Sequence, residues 1–161
     1  MIFVTVGTQE PFDRLIKAID EVYSEMEDKD LIVQAPLENF EPKNFKTVQF
    51  INPSEFSDIF ERADLIIGHA GTGTILSALV KQKPLIIMPR ICKYGEHRND
   101  HQLSTVQKFG SFENIHVAED EEALKKLLID VSPNDINASK KLSEGASEEL
   151  ISSIRDYINR K

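Results

Sequence analysis

The sequence predicts an α/β fold: a doubly wound, mostly parallel sheet with helices on both faces. Three observations predict it. Short apolar runs recur along the 161 residues, and the first five each end at Gly, Pro or Asn. Those runs are almost continuously apolar rather than alternating, which suits strands buried on both faces. Between them stand segments whose apolar residues recur at the 3.6-residue period of a helix.

Taken in order, residues 2–6 form the first run and stop at Gly7. A strand that begins so early is expected to leave no room for a signal peptide. Phe12, Leu15, Ile16, Ile19, Val22 and Tyr23 then fall on one helical stripe, with Pro11 suited to the first helical position. Residues 31–35 give the second strand. The polar stretch 36–46, with two prolines, reads as a surface loop and the candidate mobile segment. Residues 47–51 give a third strand, and Ser54 is placed to cap a helix over 55–62 whose apolar side is Phe56, Ile59, Phe60 and Ala63. Strands at 65–67 and 85–88 follow, with a weaker one at 115–118; helices are expected over 73–81, 103–109 and 120–128. The tail from about residue 135 to the end reads as one long helix. Its stripe Leu150, Ile151, Ile154, Tyr157, Ile158 is a candidate surface for docking a partner. No repeat, low-complexity tract or linker divides the chain, so residues 1–161 read as one domain, matching a prior of roughly 150 residues per domain. A domain of this size buries about 70% of its unfolded surface, enough for one sizeable core.

Composition narrows the function. Nineteen Lys and Arg against 27 Asp and Glu leave a net charge of −8. Nucleic acid needs a basic face, so it is not an expected partner; an unaided electrostatic hold on anionic lipid is equally unsuited. The single cysteine, Cys92, precludes an intramolecular disulfide within the chain and fits a reducing compartment. No apolar run reaches the ~18 residues of a membrane span. A soluble, cytosolic protein is expected.

Parallel sheets bind ligands beyond the carboxyl ends of their strands. There the first strand delivers Gly7, Thr8, Gln9 and Glu10, and the strand at 65–67 delivers Gly68-His69-Ala70-Gly71-Thr72-Gly73-Thr74. Glycines with hydroxyls at a helix start let backbone N–H groups approach an anion, and the helix dipole favours it: a phosphate or diphosphate cradle. The plainer reading is a tight turn capped by Thr72 or Thr74. No Gly-Lys-Ser/Thr follows, so this is not a P-loop, and the Gly-x-Gly-x-x-Gly fingerprint is also absent. The second polar cluster is Glu96-His97-Arg98-Asn99-Asp100-His101-Gln102. His97 and His101 would make a metal pair on a helix, but the His-Glu-x-x-His order is missing and a third ligand must come from elsewhere. Asn99 or Asp100 capping a solvated helix is the plainer reading. Convergent neutral donors and acceptors facing a polyhydroxylated ligand is the reading preferred here; no metal and no cofactor are expected. Cys92, with only Lys93 as a charged neighbour, reads as structural.

The segments Gly68-His-Ala-Gly-Thr-Gly-Thr-Ile-Leu-Ser-Ala-Leu79, Lys83-Pro-Leu-Ile-Ile-Met-Pro-Arg90 and Gly95-Glu-His-Arg-Asn-Asp-His-Gln102 resemble the C-terminal domain of family 28 glycosyltransferases. They are most similar to the soluble catalytic subunit of two-component UDP-sugar transferases, eukaryotic N-glycan and bacterial exopolysaccharide or capsule enzymes alike. The start, Val4-Thr-Val-Gly-Thr-Gln9, fits the same group. The resemblance implies a Rossmann-like domain equivalent to the donor-binding half of a GT-B glycosyltransferase. It implies that Gly7 and Thr8 meet the donor diphosphate from the first loop and that Gly71, Thr72, Gly73 and Thr74 hold it at a helix start. It puts the Ile51 main chain on the uracil, and Asp100, His101 and Gln102 at the donor sugar. One departure is Ser77, where related two-domain enzymes place an acidic residue on the ribose.

A complete enzyme of the family is two facing domains, about 300 residues at the usual domain size. The resemblance therefore implies a UDP-sugar donor, a lipid-linked saccharide acceptor, and a separate membrane-anchored subunit that binds the acceptor and recruits this chain to the membrane surface. Transfer would be inverting and metal-free, with N-acetylglucosamine, glucuronic acid or galactose moved. His69 and Glu10 are the local candidates for the general base, and a base from the partner is preferred because the acceptor lies on that side. A non-catalytic stabilising partner, motivated by Ser77, and a nucleotide-sugar epimerase relative are the competing readings.

Overall fold

The structure is a computed structural model that describes residues 1–130; the expected C-terminal helix and its stripe lie outside the described residues. Five strands, β1 (Ile2–Thr5), β2 (Leu31–Gln34), β3 (Leu65–His69), β4 (Leu85–Met88) and β5 (Ile115–Val117), form one sheet in the order β2-β1-β3-β4-β5, every pair parallel. The doubly wound parallel sheet is thus as expected. Helices α1 (Asp13–Val22), α2 (Pro53–Arg62), α3 (Thr72–Val80), α4 (His101–Phe109) and α5 (Glu121–Asp130) connect and follow the strands.

Successive strand residues point to opposite faces, and the two cores follow from that alternation. Ile2, Val4, Ile67, Ile86 and Met88 meet α1 and α5 through Leu15, Ile16, Ile19, Leu124 and Leu128. Phe3, Ile66, Leu85 and Ile87 meet α2 and α3 through Ile59, Phe60, Ile75 and Ala78. On this second face Phe56 and Phe60 set their rings edge-on to Phe3, at 5.2 and 6.2 Å between centroids.

The expected strand at 47–51 is a correction. It contributes one parallel bridge, Val48 opposite Gln34 at the end of β2. Val48 and Phe50 are exposed there, so no second layer rewards a longer ladder. The helix starts also differ. Asn52, not Ser54, caps α2, its side chain accepting from the Glu55 amide at 2.9 Å with Pro53 in the first turn. Pro11 precedes α1 by two residues rather than opening it, because the Phe12 carbonyl takes the first helical bonds. The 36–46 stretch is a loop, tied to α1: Asp20, buried, accepts from the Lys43 and Asn44 amides, and Asp13 from those of Glu38 and Asn39.

Candidate functional site

The site lies where the strand order reverses. The chain leaves β1 towards β2 on one side and returns through α2 to β3 on the other, so the carboxyl ends of β1 and β3 open a crevice between diverging connections. A cavity of about 240 Å³ sits there. Five expected residues line it: Gly7, Thr8 and Glu10 after β1, His69 at the end of β3, and Gln102 in the first turn of α4. Arg90 and His97 join them from the segment after β4.

Gly7 takes φ +81°, a left-handed conformation that favours glycine. A Cβ there would meet the His69 ring only at ordinary contact distance, 3.5 Å, whereas one at Gly71 would collide with the ring's Nε2. Gly71 therefore makes room for the imidazole, and Gly7 serves the turn of its own loop. The ring's Nδ1 is buried without a hydrogen-bond partner. Burial first, and then the charge of Arg90, push the His69 pKa down to about 4, so the ring is neutral at pH 7.

Arg90 is the residue that sequence reasoning passed over. Only 2% exposed, it donates through Nη1 to the carbonyls of Pro11 (2.6 Å) and Glu96 (3.1 Å), and through Nη2 to those of Val6 (2.8 Å) and Glu10 (2.7 Å). Phe12 lies beneath the guanidinium, 4.9 Å from ring centroid to Cζ. The Glu10 carboxylate stands 4.0 Å from Nη1 and also 4.0 Å from His97 Nε2. The cavity is thus lined by a buried cation whose hydrogen bonds go to neutral carbonyls, with the Glu10 carboxylate as a charged neighbour. The signal was in view: a charged residue two positions after the wholly apolar strand Leu85–Met88.

The glycine turn is built differently. Gly71 is the N-cap of α3 and no side chain caps it, so neither Thr72 nor Thr74 plays that part. The opening amides of the helix have no side-chain acceptor. Thr72 and Gly73 are exposed, and a Cβ at Gly73 would meet nothing within 4 Å. Thr74 leans instead against Gly68 at the end of β3. The Ser77 hydroxyl donates back to the Gly73 carbonyl at 2.8 Å.

The remaining expected residues spread. Ile51 is buried in the second core, so its backbone alone is left for a ligand. Gln102 lines the cavity while its Oε1 accepts from the Arg90 amide at 3.0 Å. Asp100 and His101 do not line the cavity. Asp100 accepts from the Cys92 amide at 2.8 Å and makes no side-chain cap on α4, although it is the N-cap residue. Asn99 Oδ1 accepts from the His101 amide. Because α4 begins at His101, His97 and His101 share no helix face; among the described residues no three His, Cys, Asp or Glu side chains gather for a metal. Among them, too, no helix is long and apolar enough to cross a membrane.

The comparisons with known proteins bear on the family and the fold. The glycosyltransferase family 28 C-terminal domain matches residues 1–160. Over 116 residues, 66% of this chain and 10% of the relative, the chain is 32% identical to the UDP-N-acetylglucosamine transferase subunit ALG13 of Mus musculus. Over 111 residues, 62% of this chain and 31% of the relative, it is 29% identical to the UDP-N-acetylglucosamine–N-acetylmuramyl-(pentapeptide) pyrophosphoryl-undecaprenol N-acetylglucosamine transferase of Crocosphaera subtropica. The aligned part is thus about a tenth to a third of these relatives' length. Among solved structures, the glycotransferase of kitacinnamycin superposes with a TM-score of 0.57 at 15% identity, covering 99% of this chain and 39% of its own. The calicheamicin glycosyltransferase CalG4 gives the same score and identity, covering 99% and 43%. At that identity the likeness shows the fold, that of one half of a GT-B glycosyltransferase.

Proposed function

The chain belongs to glycosyltransferase family 28 as its C-terminal domain, and on that premise we propose that it is the donor-binding, catalytic subunit of an inverting glycosyltransferase. It takes a sugar from a UDP-sugar and passes it to a lipid-linked saccharide held by a membrane-anchored partner subunit, which brings it to the cytoplasmic membrane surface. The relatives' names support the details: both carry UDP-N-acetylglucosamine transfer, one is called a subunit, and the other acts on an undecaprenol-linked acceptor. N-acetylglucosamine is therefore put ahead of glucuronic acid and galactose.

The observation that carries the proposal is the uncapped start of α3 at Gly71, open at Gly73, beside a crevice with a buried cation in its floor. A diphosphate laid across that start accepts from the free amides of residues 72–74 and meets Gly7 and Thr8 from the other loop. As the sugar–phosphate bond breaks, charge grows on the leaving diphosphate. Fixed amides and the helix dipole stabilise it, the role a divalent ion fills in other transferases. The Ile51 main chain faces the uracil; of the three residues expected at the sugar, Gln102 lines the cavity and takes the sugar end together with His97, while Asp100 and His101 stand outside it. A base with a pKa of about 4 takes a hydroxyl proton poorly, which weighs against His69. The same holds for a carboxylate such as Glu10, the other local candidate, so a base from the partner remains the preferred source.

One observation favours the non-catalytic reading. Ser77, in place of a ribose-binding acid, donates its hydroxyl to the Gly73 carbonyl. Calorimetry with UDP and UDP-N-acetylglucosamine decides between them, because a scaffold binds neither. An epimerase relative would bind both, yet convert the UDP-sugar into its epimer without any partner or acceptor.

A further inference from the structure

We infer that Arg14 is a positioning residue for the sugar end of the donor pocket, fixing through Glu96 the segment that brings His97 and Gln102 to the cavity wall. The inference rests on the donor-binding reading above.

Arg14 lies in the first turn of α1 and touches no cavity-lining side chain through a hydrogen bond. Its Nε donates to Glu96 Oε1 at 2.6 Å and its Nη2 to Glu96 Oε2 at 2.9 Å, a two-pronged pair with both side chains close to buried, 13% and 9% exposed. Nη2 also donates to the Pro89 carbonyl at 3.0 Å, and Glu96 Oε2 accepts from the Ile91 amide at 2.9 Å. One ion pair therefore grips both ends of the stretch from Pro89 to Glu96. The far prong, Nη1, reaches Glu121 in the first turn of α5 at 3.0 Å, and the Tyr94 ring covers the guanidinium at 5.0 Å.

The stretch needs such a grip. Between β4 and α4 its only regular element is a single 3-10 turn at Cys92–Tyr94, so its path is set by side chains. The next residue after Glu96 is His97, which lines the cavity opposite Glu10. Helix α1, by contrast, does not need Arg14: Leu15, Ile16 and Ile19 are fully buried and dock it. A guanidinium matches a carboxylate in two parallel bonds, whereas a lysine ammonium offers a point charge and cannot hold both oxygens and the Pro89 carbonyl in one plane.

The test measures binding of UDP and of UDP-N-acetylglucosamine by calorimetry for the wild type, Arg14→Lys and Glu96→Gln, with thermal unfolding of each. Arg14→Lys keeps the charge opposite Glu96, and Glu96→Gln keeps an acceptor for the Ile91 amide, so both are built to fold. The expected result is a UDP affinity unchanged within about twofold while the ratio of the UDP-sugar Kd to the UDP Kd rises about tenfold, as a misplaced wall residue would cause. A ratio that stays put in the folded variants, or an equal loss for both ligands, overturns the inference and leaves the donor reading standing. Loss of the cooperative unfolding transition in both variants makes Arg14 a stability residue and also overturns it. A wild type that binds neither ligand brings down the donor reading itself, and the inference with it.

Discussion

The floor around Arg90 and the turn at Gly71–Gly73 lie at the same edge of one sheet, yet they are made in opposite ways. The floor is long-range. Arg90 ties its own segment to carbonyls at Val6, Glu10 and Pro11, 79 to 84 residues away in the chain. The turn is local: a strand ends, a glycine follows without a side-chain cap, and a helix begins. One region is satisfied by the protein itself, the other leaves donors over. The difference teaches which residues hold the site together and which are left for a ligand, and it assigns each a different kind of mutational effect.

The largest expected effect is in the floor. Arg90→Met strips donors from four carbonyls and leaves Glu10 without its cation, at a cost of about 4 kcal/mol. That lowers the unfolding midpoint by roughly 12 °C for a domain of this size. An unchanged midpoint in a thermal melt would show that the floor is not held by Arg90. Next comes pH. The His69 pKa is about 4 in the fold against an ordinary 6.5, so the unfolded chain binds a proton between these values that the folded chain does not. Stability from this source is complete above pH 6.5 and is lost as the pH falls towards 4, by about 3 kcal/mol. Urea titrations across that range should show the loss in the wild type and its absence in His69→Phe; parallel acid limbs would refute the buried neutral ring.

A smaller effect, of a different kind, is expected in the turn. Gly73→Val puts a branched side chain where the diphosphate would lie, in space that holds no protein atom within 4 Å. UDP binding should weaken at least about 100-fold, some 2.7 kcal/mol, while the melting curve hardly moves. Normal UDP binding by a folded Gly73→Val chain would place the cradle elsewhere and erase the contrast between the regions. The smallest effect is none: with amides and the helix dipole supplying positive potential, UDP affinity should be the same in EDTA and in magnesium. A magnesium-dependent affinity would reopen Asp100 and His97 as ligands.

Much of this was legible beforehand, for stated reasons. The run of β4 is apolar without a break, that of β1 is interrupted only by Thr5, and the α1 stripe from Phe12 to Val22 is buried throughout, because periodicity reports burial directly. Residues 47–51 misled, since β-branched and aromatic residues also suit an uncovered edge where just one bridge forms. The plainer reading of Thr72 or Thr74 as a cap does not hold, because Gly71 takes the N-cap position and leaves both threonines inside the helix.

The sequence by itself determined the five strands of the sheet (but not that 47–51 is a false sixth), the helical faces, and the glycine turn, because each depends on residues within one or two turns of one another. Only the tertiary structure decided what Arg90, Gln102, Asp100 and Glu96 do. These side chains sit in or beside irregular segments, where no period constrains their direction. Their partners are the carbonyls and amides that the fold brings within 3 Å, such as Arg90 Nη2 to Val6 across 84 residues. A buried guanidinium must satisfy its donors somewhere, but the address of each acceptor is a property of the assembled sheet edge, where β1, β3 and β4 end side by side.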